Sequence, residues 1–222
     1  MPFPSLTTSI RAIIFDLDGT LTNSDKVHFQ VFQDFFAKHN IALDHGLYRA
    51  KISGRQNSAI LAEFLPHLPA AEAEAFSAKK EETFRKLAKG RIQPLPGLLD
   101  FLSQIQAKNL PAAVVTNAPV ENANFMLNEL NLAQTFSPVV IGDQLPKGKP
   151  DPLPYQTALD TLGITADEAI AFEDSHTGIQ SATGAGIKTI GITTTHSASE
   201  LMKGGVERAI ADFTDPYIQS LL

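Results

Sequence analysis

No cysteine occurs in this chain of 222 residues. That excludes a disulfide framework, a thiolate nucleophile and a thiolate metal site, and leaves oxygen and imidazole as ligand types for any metal. No apolar run approaches the ~20 residues needed to cross a bilayer, and Met1-Pro2-Phe3-Pro4 lacks the basic start of a secretory signal. A basic excess is missing too. The net charge of -6, with no basic stripe, argues against nucleic acid and anionic membrane surfaces as partners. It leaves room for a small phosphate ester held by a few placed cations. The expectation is a cytoplasmic protein with a small-molecule partner; the sequence does not set its oligomeric state, and a monomer is the default.

What the chain does contain is enough apolar material, 43% of residues against 19% charged, for a core in one domain with an insertion or in two small ones. Short apolar runs recur at Ile10 to Phe15, Pro111 to Thr116, Ser137 to Ile141, Ala169 to Phe172 and Ile187 to Ile192. Helix-length stretches separate most of them, which predicts βαβ units in a doubly wound α/β sheet. Residues 24 to 93 break the alternation. Val27 to Lys38, Ser58 to Leu65 and Ala70 to Lys89 read as helices, with Val27, Val31, Phe32, Phe35 and Phe36 at helical spacing in the first. The predicted organisation is an α/β core, 1–23 and 94–222, with a small helical cap domain, 24–93, inserted after the first strand. Pro94-Leu95-Pro96-Gly97 marks the return to the core. Such an insert can swing over a site as a lid.

Ligands of doubly wound sheets gather at the carboxyl ends of the strands. Asp16, Thr116 and Glu173-Asp174 all fall at predicted strand ends, although far apart in sequence. The run Ile13-Ile14-Phe15-Asp16-Leu17-Asp18-Gly19-Thr20 is the most unusual of these. Two acids so close repel when both are ionised, unless a cation or strong donors compensate them. Against this stand plain structural roles: a strand-end carboxylate for Asp16, a turn carboxylate for Asp18, helix caps for Thr116 and for the Asp174-Ser175 pair.

Taken in order, IIFDLDGTLTNS, the strand ending VVTNA, the segment KGKPDP and the later AFEDSHTGIQSATGAG resemble the four motifs of the haloacid dehalogenase-like phosphohydrolase superfamily. The helical insert resembles the cap of its β-phosphoglucomutase-like branch. SGRQNSAI, VVTNAPVENANFML and the late GITTT followed by ADFTDP look most like the small, broad-range sugar phosphate phosphatases. The resemblance implies a Rossmann-like core and a magnesium-dependent phosphatase working through an aspartyl phosphate. Asp16 is then the nucleophile and Asp18 the acid and base, with Thr116, Asn117 and Lys149 on the phosphate. Magnesium falls to Asp16, Asp174, the backbone carbonyl of Asp18 and, less directly, Glu173, whose other role is to hold a water or Lys149. In the cap, His28, Lys51, Arg55 and Asn57 resemble positions that face the substrate, and Arg55 has the planar fork suited to sugar hydroxyls or phosphate oxygens.

The alternatives are a β-phosphoglucomutase-type isomerase, whose cap also carries a lysine and an arginine four apart like Lys51 and Arg55, and a non-catalytic phosphate-binding module. A phosphoacceptor domain that uses Asp16 for signalling is disfavoured by the long insert and by Asp18. His176 reads as an exposed first-turn residue. His39, His45, His67 and His196 show no metal-ligand spacing.

Overall fold

The computed structural model describes residues 9–221. Met1–Pro4, on which the expectation about a secretory start rests, and the rest of the first eight residues of the predicted 1–23 segment lie outside them, as does Leu222. The core is a six-stranded parallel sheet of β1 (Ala12–Phe15), β2 (Ala112–Thr116), β3 (Val139–Ile141), β4 (Ala169–Glu173), β5 (Lys188–Ile192) and β6 (Arg208–Ile210), in the order β3-β2-β1-β4-β5-β6. This is the doubly wound Rossmann-like arrangement. The chain moves outward from β1 to β2 and β3, then returns to the other side of β1 for β4. The crevice at that switch point, beyond the carboxyl ends of β1, β2 and β4, is where such sheets place ligands.

Apolar residues on both faces explain why these runs form interior strands. Ile13 and Phe15 of β1 join a core with α5 (Leu98–Ala107) and α6 (Val120–Glu129), while Ile14 points into a second core with α7 (Leu153–Leu162) and α8 (His176–Gly184). Alternate residues of one strand thus fill opposite layers, as a sheet covered on both sides requires. The five predicted strands lie within one or two residues of the observed ones. The edge strand β6, preceded by α9 (Ala198–Lys203), is an addition: Arg208 is exposed and only Ile210 is fully buried, so RAI carries no apolar run to announce it.

Between β1 and β2 come α1 (Asp25–Ala37), α2 (His45–Lys51), α3 (Asn57–Phe64) and α4 (Ala70–Ala88). They carry a core of their own, including Phe32, Phe36, Tyr48, Ile52, Ile60 and Leu61. Val31 of α1 and Phe84 and Ala88 of α4 pack instead with the sheet's helices. Helix α2, absent from the sequence-based expectation, is short and begins where Asp44 accepts a hydrogen bond from the Leu47 N–H at 2.7 Å. The two crossings between sheet and insert run side by side. Thr22 bridges to Pro94, its hydroxyl donates to Gln93 O at 2.7 Å, and Leu95 N donates to Leu21 O at 2.9 Å.

Candidate active site

Asp16 follows the last residue of β1 and is buried, with its N–H tied to Phe172 O of β4 at 3.0 Å. One carboxylate oxygen, Oδ1, accepts from Lys149 Nζ at 2.7 Å; the other, Oδ2, is buried with no partner. Burial and the neighbouring Glu173 push its pKa up to about 8, against the opposing pull of Lys149. Asp174, just past β4, is likewise held well above the usual carboxylate range by burial and by Asp16 and Asp25. Its Oδ2 accepts from the Thr195 hydroxyl, which also reaches Asp25.

Close approach of the turn after β1 to Asp174 depends on Gly19. Its φ is +87°, and a Cβ there would lie 2.0 Å from Asp174 Oδ2. Only glycine meets both demands without rearrangement. Asp16, Glu173 and Asp174 each bring an oxygen within 4.8 Å of the others. One ammonium, Lys149, serves the group directly, and an acceptor on Asp16 stays unmatched. Hard oxygen donors, excess negative charge and an orphaned buried acceptor fit a divalent cation.

Lys149 is buried and donates to Asp16 Oδ1, to Glu173 Oε1 at 2.6 Å and to Val115 O at 2.8 Å. Burial works against its charge, but the two carboxylates outweigh that and raise its pKa. Asn117 fixes the Lys149 backbone from both sides: its Oδ1 accepts from Lys149 N and its Nδ2 donates to Lys149 O, each at 3.0 Å. Glu173 is fully buried, and its oxygens also accept from Tyr155 OH at 2.8 Å and Ser175 Oγ at 3.3 Å. Ser175 at the same time caps α8 by accepting from Gly178 N. Thr116, the last residue of β2, does not cap α6, where Pro119 takes that position. Its Oγ1 accepts from Ala118 N at 2.9 Å, so its O–H still has a proton to offer.

Asp18 lines the same cavity. Its Oδ1 accepts from Ser24 Oγ at 2.6 Å and from His28 Nε2 at 3.1 Å. Burial opposes ionisation here, but the bonds from His28 and Ser24 and the charge of Lys80 together bring its pKa below the usual value. The His28 ring stacks on Phe84, centroids 3.8 Å apart, and its Nδ1 is 3.3 Å from Lys80 Nζ.

The remaining predicted residues divide. Arg55 lines the cavity but turns its guanidinium into the insert, donating to Lys51 O at 2.6 Å, Glu63 Oε2 at 2.7 Å and Ala59 O at 3.3 Å. Lys51 is exposed, outside the cavity lining, and pairs with Glu63 Oε1 at 2.9 Å. Asn57 lines the cavity and donates to Glu81 Oε1 at 2.6 Å.

Lys80, Glu81 and Asn122 were not among the predicted residues. Lys80 and Glu81 sit within KKEE, which reads as a solvated charge run, yet both are buried. The phase of α4 could have found Lys80, which lies one helical turn before the buried Phe84 and two before Ala88. Asn122 links the two units: it donates to Glu81 Oε2 and accepts from Arg85 Nη1, both at 2.6 Å. Gly54 O accepts from Asn117 Nδ2 and Thr177 Oγ1, and Gln56 donates to Asp143. The insert is thereby fastened over a cavity of about 70 Å³. His196 is buried behind the site with Nδ1 3.0 Å from Asp174 O, and exposed His176 stands edge-on to it.

Residues 13–192 match the model of the haloacid dehalogenase-like hydrolase family. Validoxylamine A 7'-phosphate phosphatase of Streptomyces hygroscopicus subsp. limoneus is 30% identical over 196 residues, 88% of this chain and 92% of that protein. The β-phosphoglucomutase of Bacillus subtilis (strain 168) is 28% identical over 193 residues, 82% and 83% of the two chains. The crystal structure of a CbbY variant from Rhodobacter sphaeroides in complex with xylulose-(1,5)bisphosphate superposes with a TM-score of 0.80, at 28% identity, covering 93% of this chain and 96% of the other. No described helix is long and apolar enough to cross a membrane.

Proposed function

The chain belongs to the haloacid dehalogenase-like hydrolase family, and on that premise we propose that it is a magnesium-dependent phosphatase of small sugar or polyol phosphate monoesters, acting through an aspartyl phosphate on Asp16. Within the family we place it in the β-phosphoglucomutase-like branch, nearest the broad-range sugar phosphate phosphatases, with residues 24–93 as its cap. The observation that carries the reading is Asp16 itself. It offers a buried, unpartnered oxygen to the cavity, with an ammonium, a second acid and a strand-end hydroxyl arranged around it.

In the first half-reaction Asp16, as its carboxylate, attacks phosphorus and the bond to the sugar oxygen breaks, while the Thr116 hydroxyl and Lys149, which gives up one of its three present bonds, hold phosphate oxygens. A sugar alkoxide is a poor leaving group, so Asp18 gives it a proton. Asp18 favours its carboxylate form, so a proton must reach it before the bond breaks; His28 Nε2 lies 3.1 Å from its Oδ1. In the second half-reaction Asp18 accepts a proton from the water that attacks the aspartyl phosphate, and Asp16 is released. Asp16, Asp174 and the Asp18 carbonyl would hold magnesium, with Glu173 acting through Lys149. When bound, the ion neutralises charge between an anionic nucleophile and an anionic phosphate.

At about 70 Å³ the cavity is far smaller than the roughly 300–1,000 Å³ of ordinary ligand pockets. On this reading the insert swings away to admit substrate, and its return excludes water. The test is phosphate release from sugar monophosphates with magnesium, compared with Asp16→Asn. Supplying β-glucose 1-phosphate with a bisphosphate primer includes the isomerase alternative: free phosphate supports the phosphatase, and glucose 6-phosphate without phosphate release would replace it.

A further inference from the structure

Resting on the phosphatase reading, a further feature concerns the charge of the substrate beyond its phosphate. Lys149, Lys80 and Arg55 are the cationic side chains that line the cavity among the described residues, with the imidazole of His28 beside them. Each already faces a carboxylate: Lys149 has Asp16 and Glu173, Lys80 has Glu81, His28 has Asp18, and Arg55 has Glu63. Lys149 stands at the phosphate end. Around the rest, the lining is neutral at Ser53, Asn57 and Asn122 and acidic at Asp25 and Glu81.

Glu63 of α3 decides the balance. It stands behind the loop, outside the cavity lining, and gives one oxygen to Lys51 and the other to Arg55. Arg55 directs two more N–H groups at Lys51 O and Ala59 O. Its fork is thus bound into the loop that carries it. A second phosphate or a carboxylate on the substrate would have to displace Glu63 from Arg55, or separate the buried Lys80–Glu81 pair, while lying near Asp25 and Glu81.

We infer that Glu63 sets the charge class of the substrate: the enzyme takes monophosphates whose remaining part is neutral and hydroxyl-bearing, and discriminates against those with a second anionic group. Neutral amide and hydroxyl groups of Asn57, Asn122 and Ser53 suit hydroxyls, which need no counter-ion. Pairs as exposed as Lys51–Glu63 exchange readily, so the selectivity is graded, of the order of two- to fivefold.

The experiment measures inhibition constants of fructose 6-phosphate, fructose 1,6-bisphosphate and phosphoglycolate against hydrolysis of p-nitrophenyl phosphate, which has no charge outside its phosphate. The wild type should bind the hexose monophosphate roughly two- to fivefold tighter than either doubly anionic compound. Glu63→Gln should raise the relative affinity for the bisphosphate about tenfold by releasing Arg55, and adding Arg55→Gln should remove that gain. Equal or tighter binding of the doubly anionic compounds by the wild type overturns the inference, as does an unchanged ratio in Glu63→Gln. Failure to hydrolyse p-nitrophenyl phosphate refutes the phosphatase reading instead. The same ratios, taken as dissociation constants by calorimetry with magnesium on Asp16→Asn, then decide the selectivity.

Discussion

Replacing Lys149 by methionine removes the one ammonium that lies within 2.7 Å of both Asp16 and Glu173 and leaves two buried carboxylates facing each other. Breaking a buried pair by deleting one partner costs about 3–5 kcal/mol, because an uncompensated charge stays behind. Methionine fills similar volume, so little of the loss comes from packing. A chain of this length shifts its midpoint by roughly 2–4 °C per kcal/mol, giving an expected drop of about 6–20 °C in the metal-free protein near neutral pH. The loss must depend on pH. Asp16 is already pushed up to about 8 in the folded state, above the ordinary carboxylate value, so the native state binds the extra proton. Stability therefore falls as pH rises from the unfolded value through the folded one, and removing Lys149 steepens that fall. Thermal unfolding in chelator at about pH 5 and about pH 8 should show a small difference between variant and wild type at the lower value and a large one at the higher. A drop below about 1 kcal/mol, or one equal at both pH values, would contradict a role for Lys149 in holding the two carboxylates ionised.

Other consequences follow from the same geometry. Magnesium should raise the wild-type midpoint most near pH 8 and little near about pH 4, where Asp16 and Asp174 are protonated; a pH-independent shift in scanning fluorimetry contradicts the proposed ligands. Gly19→Ala forces a Cβ into Asp174 at a positive φ, and magnesium half-saturation of activity should rise by about tenfold or more. Asp18→Asn should reduce sugar phosphate turnover by about 10²–10⁴-fold, with a smaller effect on single-turnover release of p-nitrophenol, whose leaving group needs less protonation. Asn122→Ala leaves Glu81 and Arg85 short of a partner at the junction of insert and core, so chemical denaturation should report a loss of about 1–3 kcal/mol.

The sheet was legible where burial on both faces turns a strand into an apolar run, and its carboxyl ends led to Asp16, Thr116, Glu173 and Asp174. Edge strand β6 left no such trace, since Arg208 faces solvent. The seven-residue helix α2 is too short to display a period, and its Asp44 cap resembles any loop aspartate. Partners across the fold were beyond reach for a different reason. Lys79 and Glu82 pair on the surface of α4 while Lys80 and Glu81, in the same four-residue run, are buried against His28, Asn57 and Asn122. Residue type cannot distinguish them; helical phase can. The substrate-facing part expected of Arg55 rested on the resemblance of its loop and on its planar fork; Glu63, eight positions later on α3, accepts from its guanidinium and turns it into the insert.

The central claim is that a phosphoryl group passes through Asp16. Acid quenching of the enzyme during turnover of a sugar monophosphate, followed by peptide mapping, tests it most directly. A phosphoryl group on the peptide bearing Asp16, formed with magnesium and absent in Asp16→Asn, is the predicted result. Steady turnover by Asp16→Asn, or a phosphoryl group on another residue, would contradict it.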